Sequence, residues 1–331
     1  MKQNTIRRLI SIGILALMLI FFSVTSEYFF NASNLLSVFR NASVTGIIAV
    51  GGTFVIITSG IDLSTGALLA FVGMTMANCY KYTNMPIWTL LLIGLAVGAV
   101  GGYLNGVIIT RLKLPEFIAT LSTQGIFRAL AYMTAITVNG IITNQVINDP
   151  NFTVYGGEIG GVYYVSIAFI IIAIIGQVVL KKTRFGTYVY STGANMKTAQ
   201  LAGVDTGAIR RKVYLISGVC CAIGAIFLCS RMNTATADLG TGMEFDVIAA
   251  IVIGGCALDG GRGDVWGSVI GAIFMAVLDS GIYQYQINTS FQPIIKGTII
   301  ILFVVFDAWY SKKMKAKTAK KLDESAGEAS A

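Results

Sequence analysis

Histidine is absent from this chain. That removes imidazole metal sites, Ser-His-Asp and Cys-His catalysis, and the simplest proton relays. Charge is scarce: Asp, Glu, Lys and Arg make up 12% of the residues, where a soluble domain carries roughly 25%. The five cysteines, at 79, 220, 221, 229 and 256, form no CxxC and read as buried apolar thiols, not as redox or metal sites. No GxxxxGK[ST] occurs, so the chain has no phosphate cradle of that kind. GGRGDVWG at 260–267 is glycine-rich, but Trp266 stands where a dinucleotide fingerprint needs its third glycine. It reads as a tight turn.

What fills the chain instead is apolar sequence: 55% hydrophobic residues among 331, with a mean hydropathy of +0.74. Runs of about 17–25 apolar residues recur along its whole length, and this length spans a bilayer as a helix. A β-barrel would show short alternating segments. The expected fold is therefore all-α, a polytopic bundle of about ten transmembrane helices. The first runs from Leu9 to Thr25 behind Lys2, Arg7 and Arg8; no small-residue cleavage site follows, so it reads as a retained helix. The others fall near 42–58, 63–80, 87–109, 116–138, 162–180, 213–231, 244–257, 266–285 and 290–308. The 244–257 run is short, and the two flanking Gly60 read as broken helices.

The net charge of +8 sits at the ends of spans, as membrane orientation requires and nucleic-acid binding does not. With both termini in the cytoplasm, the inside connections hold Arg111, Lys113, the stretch Lys181–Lys212, Arg262 and the lysines from 312 to 321, while the outside ones hold little beyond Arg40 and Lys81. The expected organisation is a transmembrane domain over 1–311, with an inside loop at 181–212, and a basic-then-acidic, disordered cytoplasmic tail at 312–331. Glycines 94, 98, 102 and 106, and again 263, 267 and 271, repeat every fourth residue. They make smooth faces for close helix packing, or for helices that slide.

The longest inside connection, KKTRFGTYVYSTGANMKTAQLAGVDTGAIRRK, interrupts the apolar pattern. Asn195 is placed to cap a short helix through Gln200 or Leu201, and Gly203 to end it in a left-handed turn. Two turns are marginal alone in water, so the segment rests either on a partner or on the bilayer surface. Within the spans, Asp62 lies in the break SGIDLS. Its carboxylate serves either the exposed helix ends or a solute, and the ends come first because a loop inside a bilayer must satisfy its own backbone.

TRFG at 183–186, STGAN at 191–195 and AQLAGV at 199–204 resemble the cytoplasmic loop of bacterial ATP-binding-cassette importer permeases, in the branch that carries ribose, xylose, galactose and related small solutes. ITSGIDLSTGALLA (57–70), NGVIITRLKLPEFIATLSTQGIFRAL (105–130) and EFDVIAAIVIGGCALDGGRG (244–263) are similar to further stretches of that branch. The likeness runs from about residue 40 to residue 308. It implies a subunit of an ATP-driven importer in the bacterial cytoplasmic membrane, working as a dimer of identical or paralogous permeases. It also implies a separate cassette ATPase that binds the ATP and magnesium, and an extracytoplasmic solute-binding protein. In such permeases the loop is a coupling helix that docks on the ATPase. On this chain that role falls to Gly193, Ala194, Asn195, Met196, Ala199, Leu201 and Gly203. For an uncharged sugar-like solute, a path needs weak polar contacts, since tight binding prevents release. Candidate liners are Asp62, Ser64, Asn105, Phe117, Thr120, Thr123 and Gln124; each serves equally well for interhelical hydrogen bonding or packing. Autoinducer-2, nucleosides and branched-chain amino acids remain alternative solutes within the same class, and an ion-coupled carrier is the alternative outside it. A membrane-embedded enzyme would need a cluster of titratable residues at one face, which the sequence does not display.

Overall fold

The computed structural model describes residues 2–83, 85–138, 141–288, 291–302 and 305, without side chains for 2–10, 136–138 and 141–143. The chain divides into a unit up to Tyr285 and a second from Gln286. The second contains the apolar helix Gln292–Leu302. Residues 290, 303, 304 and 306–308 of the tenth expected span and the 312–331 tail lie outside the described residues.

The first unit is helical. Its main elements are α1 (Lys2–Thr25), α2 (Ala32–Ile57), α3 (Thr65–Thr83), α4 (Ile87–Arg111), α5 (Glu116–Met133), α6 (Pro150–Thr153), α7 (Tyr164–Lys182), α8 (Arg184–Ala194), α9 (Met196–Leu201), α10 (Thr206–Met232), α11 (Met243–Ile253) and α12 (Val265–Gln284). Among the described residues, five of these, α2, α4, α7, α10 and α12, are long and apolar enough to cross a membrane. Among the same residues, other expected spans are seen as shorter or more polar helices. The 116–138 run is helical only to Met133 and then turns into a small hairpin, and the 244–257 run keeps 11 helical residues.

α2 is apolar on every side and buried on nearly every side from Ala42 to Ile57, as expected of a helix at the centre of a bundle. α10, α12, α7 and α11 surround it. Glycine sets a close approach between α4 and α10. A Cβ on Gly102 would meet the Tyr214 carbonyl oxygen at 2.2 Å, and one on Gly98 would meet that of Gly218 at 2.5 Å. Small residues drive such contacts in lipid, where apolar surface alone gives helices no preference for each other. The second glycine row seats α12 on α11: a Cβ on Gly271 would lie 1.8 Å from the Ala250 carbonyl oxygen.

Between α5 and α7, and after α10, short strand pairs close one end of the unit; Gln145 and Val146 pair antiparallel with Ala235 and Thr234. The opposite end holds α8 and α9, the connection between α7 and α10.

Candidate functional site

The connection folds by its caps. Thr183 opens α8 by accepting the Gly186 N–H at 3.2 Å. Asn195 is extended (φ −162°), which ends α8, and its side-chain oxygen accepts the Thr198 N–H at 3.0 Å, which starts α9. Gly203 adopts φ 83°, a left-handed conformation that lets Val204 N–H reach back to the Ala199 carbonyl at 3.0 Å. Asp205 then caps α10 through the Ala208 N–H, and Gln200 donates to the Thr206 hydroxyl at 2.9 Å. The helix expected from Asn195 to Gln200 or Leu201 therefore forms.

Its residues face two ways. Gly193 is buried, where a Cβ would meet the Ile57 carbonyl oxygen at 1.8 Å and the Gly261 nitrogen at 2.7 Å. Ala199 is 4% exposed. Both serve close packing within the chain itself, and Met196 is half-buried. Ala194, Asn195, Leu201 and Gly203 face outward, with Leu201 90% exposed at the end of the two-turn helix.

α8 is fastened to the end of α2. Gly261 N–H donates to the Ile57 carbonyl at 2.8 Å. Ser59, itself left-handed at φ 64°, has its hydroxyl 3.2 Å from the Gly193 carbonyl and 3.0 Å from that of Asp259. The Tyr190 hydroxyl donates to the Gly263 carbonyl at 2.6 Å beneath the Lys181 ammonium, 4.7 Å from the ring centre. Burial pushes this phenol up, so it stays a protonated donor.

Three residues beyond Ser59 lies Asp62, in the non-helical stretch between α2 and α3. Its Oδ1 accepts from the Ser64 backbone N–H (3.1 Å) and hydroxyl (2.7 Å), and its Oδ2 accepts from the Ser217 hydroxyl of α10 (2.8 Å). Asn105 of α4 donates to the Ser64 oxygen at 2.8 Å. The Ile61 carbonyl accepts from Tyr214 (3.1 Å) and Thr120 (3.2 Å). Asp62, Ser64, Asn105 and Thr120 thus meet in one buried knot joining α2, α3, α4, α5 and α10. Thr123 is buried and bonds back to the Thr120 carbonyl within α5. Gln124 donates at 2.8 Å to Glu244, a carboxylate only 4% exposed at the head of α11. Phe117 stands apart on the outer face of α5, 53% exposed.

Three members of this polar interior were not singled out from the sequence: Ser217, Tyr214 and Glu244. The first two are polar residues three apart in an otherwise apolar run, and Glu244 heads the EFDVIAAIVIGG stretch. Each is a sign of an inward-facing partner in lipid. Asn105 Oδ1, Thr65 Oγ1 and Glu244 Oε2 are buried without a hydrogen-bond partner, all three around the first turn of α3.

Compared with known proteins, residues 34–304 match the family model described as the branched-chain amino acid transport system / permease component. The chain belongs to this family. The match takes in the break, the knot and the whole connection between α7 and α10. Among curated relatives, the ribose import permease of Bacillus subtilis is 34% identical over 88% of this chain and 90% of its own length. The xylose transport system permease of Haemophilus influenzae is 28% identical over 95% and 99%. The D-allose transport system permease of Escherichia coli is 32% identical over 88% and 89%. No solved structure matches. Family and apolar helices together make this an integral membrane permease.

Proposed function

We propose that this chain is the membrane subunit of an ATP-driven importer of a monosaccharide, lying in the bacterial cytoplasmic membrane with about ten passes and both termini inside. The observation that carries the solute class is that nearly full-length relatives are named for ribose, xylose and allose, three neutral polyhydroxylated sugars of five or six carbons. The positive charges in connections, most of them on the inside in this topology, support the orientation.

The chain performs no hydrolysis. A cassette ATPase binds the ATP and magnesium, and an extracytoplasmic binding protein delivers the solute. A second permease, identical or paralogous, completes the pathway within membrane lipid; nucleic acid has no part in it. The ATPase docks on the outward residues of the α8–α9 connection, with Leu201 as the apolar knob and Ala194, Asn195 and Gly203 around it. Gly193, Met196 and Ala199 seat that helix on the body of the chain. A leucine almost wholly exposed on a helix too short to stand alone fits a surface that a partner covers. The knot around Asp62 and Ser64, with Asn105, Thr120, Thr123, Gln124 and Phe117 near it, borders the path and holds its broken helix.

The family's own description names branched-chain amino acids, which gives the second reading of the solute. Gentle purification of the tagged chain from its native membrane, with mass spectrometry of the proteins that accompany it, tests the class; a cassette ATPase is the expected companion. Calorimetry of the accompanying binding protein against ribose, xylose, allose and leucine then separates the two solutes. A chain that emerges alone after cross-linking overturns the importer reading and favours an ion-coupled carrier.

A further inference from the structure

α5 is attached to the bundle in an unusual way. It packs mainly along α3, and its outer side, with Phe117, Ile118, Leu121, Ser122, Gly125 and Ile126, is exposed. It also touches α4 through the buried Phe127, which lies against Gly101, and its remaining attachments form a polar stripe that falls at every fourth residue, one helical turn apart. Glu116 pairs with Arg210 of α10, and Thr120 bonds the Ile61 carbonyl in the break. Gln124 bonds Glu244 of α11, Arg128 bonds the Leu239 carbonyl at 3.0 Å, and Tyr132 bonds Asp238. The stripe thus touches a different element at almost every turn.

Its first member meets the chain close to the connection. α10 begins three residues after Gly203, and Gln200 ties α9 to its first residue, Thr206. Neighbouring arginines in its second turn then grip two different helices: Arg211 reaches Thr110 of α4 at 3.2 Å, and Arg210 reaches Glu116 of α5. The α4 contact is reinforced by glycine, since a Cβ on Gly106 would meet the Arg211 Cα at 2.7 Å. α10 and α4 are therefore interlocked, whereas the α10–α5 link at this end rests on one ion pair. The pair is part-buried, with side-chain exposures of 11% and 29%. The Arg210 Nε is buried without an acceptor, leaving the guanidinium only partly used in this state.

We propose that the Glu116–Arg210 pair is the strut that transmits movement of the α8–α9 connection into α5, Glu116 and Arg210 acting as positioning residues for transport. This rests on the reading of that connection as the ATPase docking segment. Displacing α9 swings the start of α10; α4 follows through backbone contact, and α5 follows through the strut. A charge pair suits this task because it holds in one geometry and re-forms in another, as interlocked glycines cannot.

The test uses the full chain purified together with its ATPase, carrying a nitroxide on Ser122→Cys at the exposed face of α5; the native cysteines are buried or half-buried. Addition of Mg-ATP with vanadate is expected to change the nitroxide line shape. Glu116→Arg or Arg210→Glu alone abolishes at least four-fifths of that change while the ATPase still co-purifies, Glu116→Gln weakens it, and the double charge swap restores at least half. A full response in the single reversals overturns the strut and leaves the docking reading standing. Loss in the single reversals without restoration in the swap overturns it too, as does an unresponsive unsubstituted chain that still holds its ATPase. If that chain purifies without an ATPase, the docking reading itself falls, and the strut with it.

Discussion

Replacing Asp62 separates its two possible uses. Its carboxylate accepts three hydrogen bonds, two from Ser64 at the start of α3 and one from Ser217 of α10. Hydrogen bonds to charged groups contribute about 1.5–3 kcal/mol in water-soluble proteins, but measured interhelical bonds in membranes average about 0.6 kcal/mol because the dispersed helices find other partners. Three bonds at about 1 kcal/mol each place Asp62→Ala near 3 kcal/mol of destabilisation, most of it from stranded Ser64 and Ser217 donors. Asp62→Asn keeps the Oδ1 acceptor, and the Ser217 hydroxyl can rotate to accept from the new amide, so it costs about 1 kcal/mol. SDS-induced unfolding of the purified chain in mixed micelles, followed by far-ultraviolet circular dichroism, should therefore show alanine shifted about three times as far as asparagine. Equal shifts, or none for alanine, would refute the helix-end account. An alanine variant of undiminished stability that no longer transports would make Asp62 a solute contact instead.

Leu201→Asp removes the exposed knob without disturbing packing; it should leave unfolding within about 0.5 kcal/mol of the parent yet reduce ATPase co-purification at least tenfold, read on the same gel. Gly102→Val drives a side chain against the Tyr214 carbonyl; overpacking costs about 1–3 kcal/mol or more, visible as a lower midpoint in the SDS titration. Tyr190→Phe loses the bond to the Gly263 carbonyl and about 1 kcal/mol. Because burial raises the Tyr190 pKa, the phenol's contribution is constant below the unfolded value of about 10 and falls only as pH rises above it. The difference in stability between parent and Tyr190→Phe should therefore be flat from about pH 6 to 9; a difference that shrinks across that range would contradict the buried donor.

The local signals in the sequence spoke for themselves where the chain answers to its near neighbours. Asn195 and Gly203 bracket α9 because a cap and a left-handed turn involve only residues a few positions away. The interruption at Gly60 and the glycine faces of α4 and α12 were legible for the same reason. Partners distant in sequence were not. Gly193 and Ala199 are small because something approaches closely, but smallness does not name the neighbour, and here it is the chain's own interior. Arginine at 199 would consequently disturb the seating of α9 as well as any partner. Ser217 and Tyr214 stand about 150 residues from the Asp62 carboxylate and the Ile61 carbonyl they hold, a distance that no helical periodicity encodes. Span lengths were partly obscured because hydropathy continues past Met133 into a hairpin, so an apolar run over-reports the helix within it.

The bond between Asp62 and Ser217 has a consequence for how the protein is made. The two residues are separated by 155 positions, so when α2 and α3 emerge from the ribosome the donor for one carboxylate oxygen has not yet been translated. A bilayer tolerates such a group poorly without a partner. The early hairpin must therefore linger beside the insertion machinery, or in contact with water, until α10 arrives. Chains truncated before residue 217 would carry a carboxylate with one oxygen still unmet in the membrane, a mark by which quality-control proteases can tell an unfinished copy from a complete one.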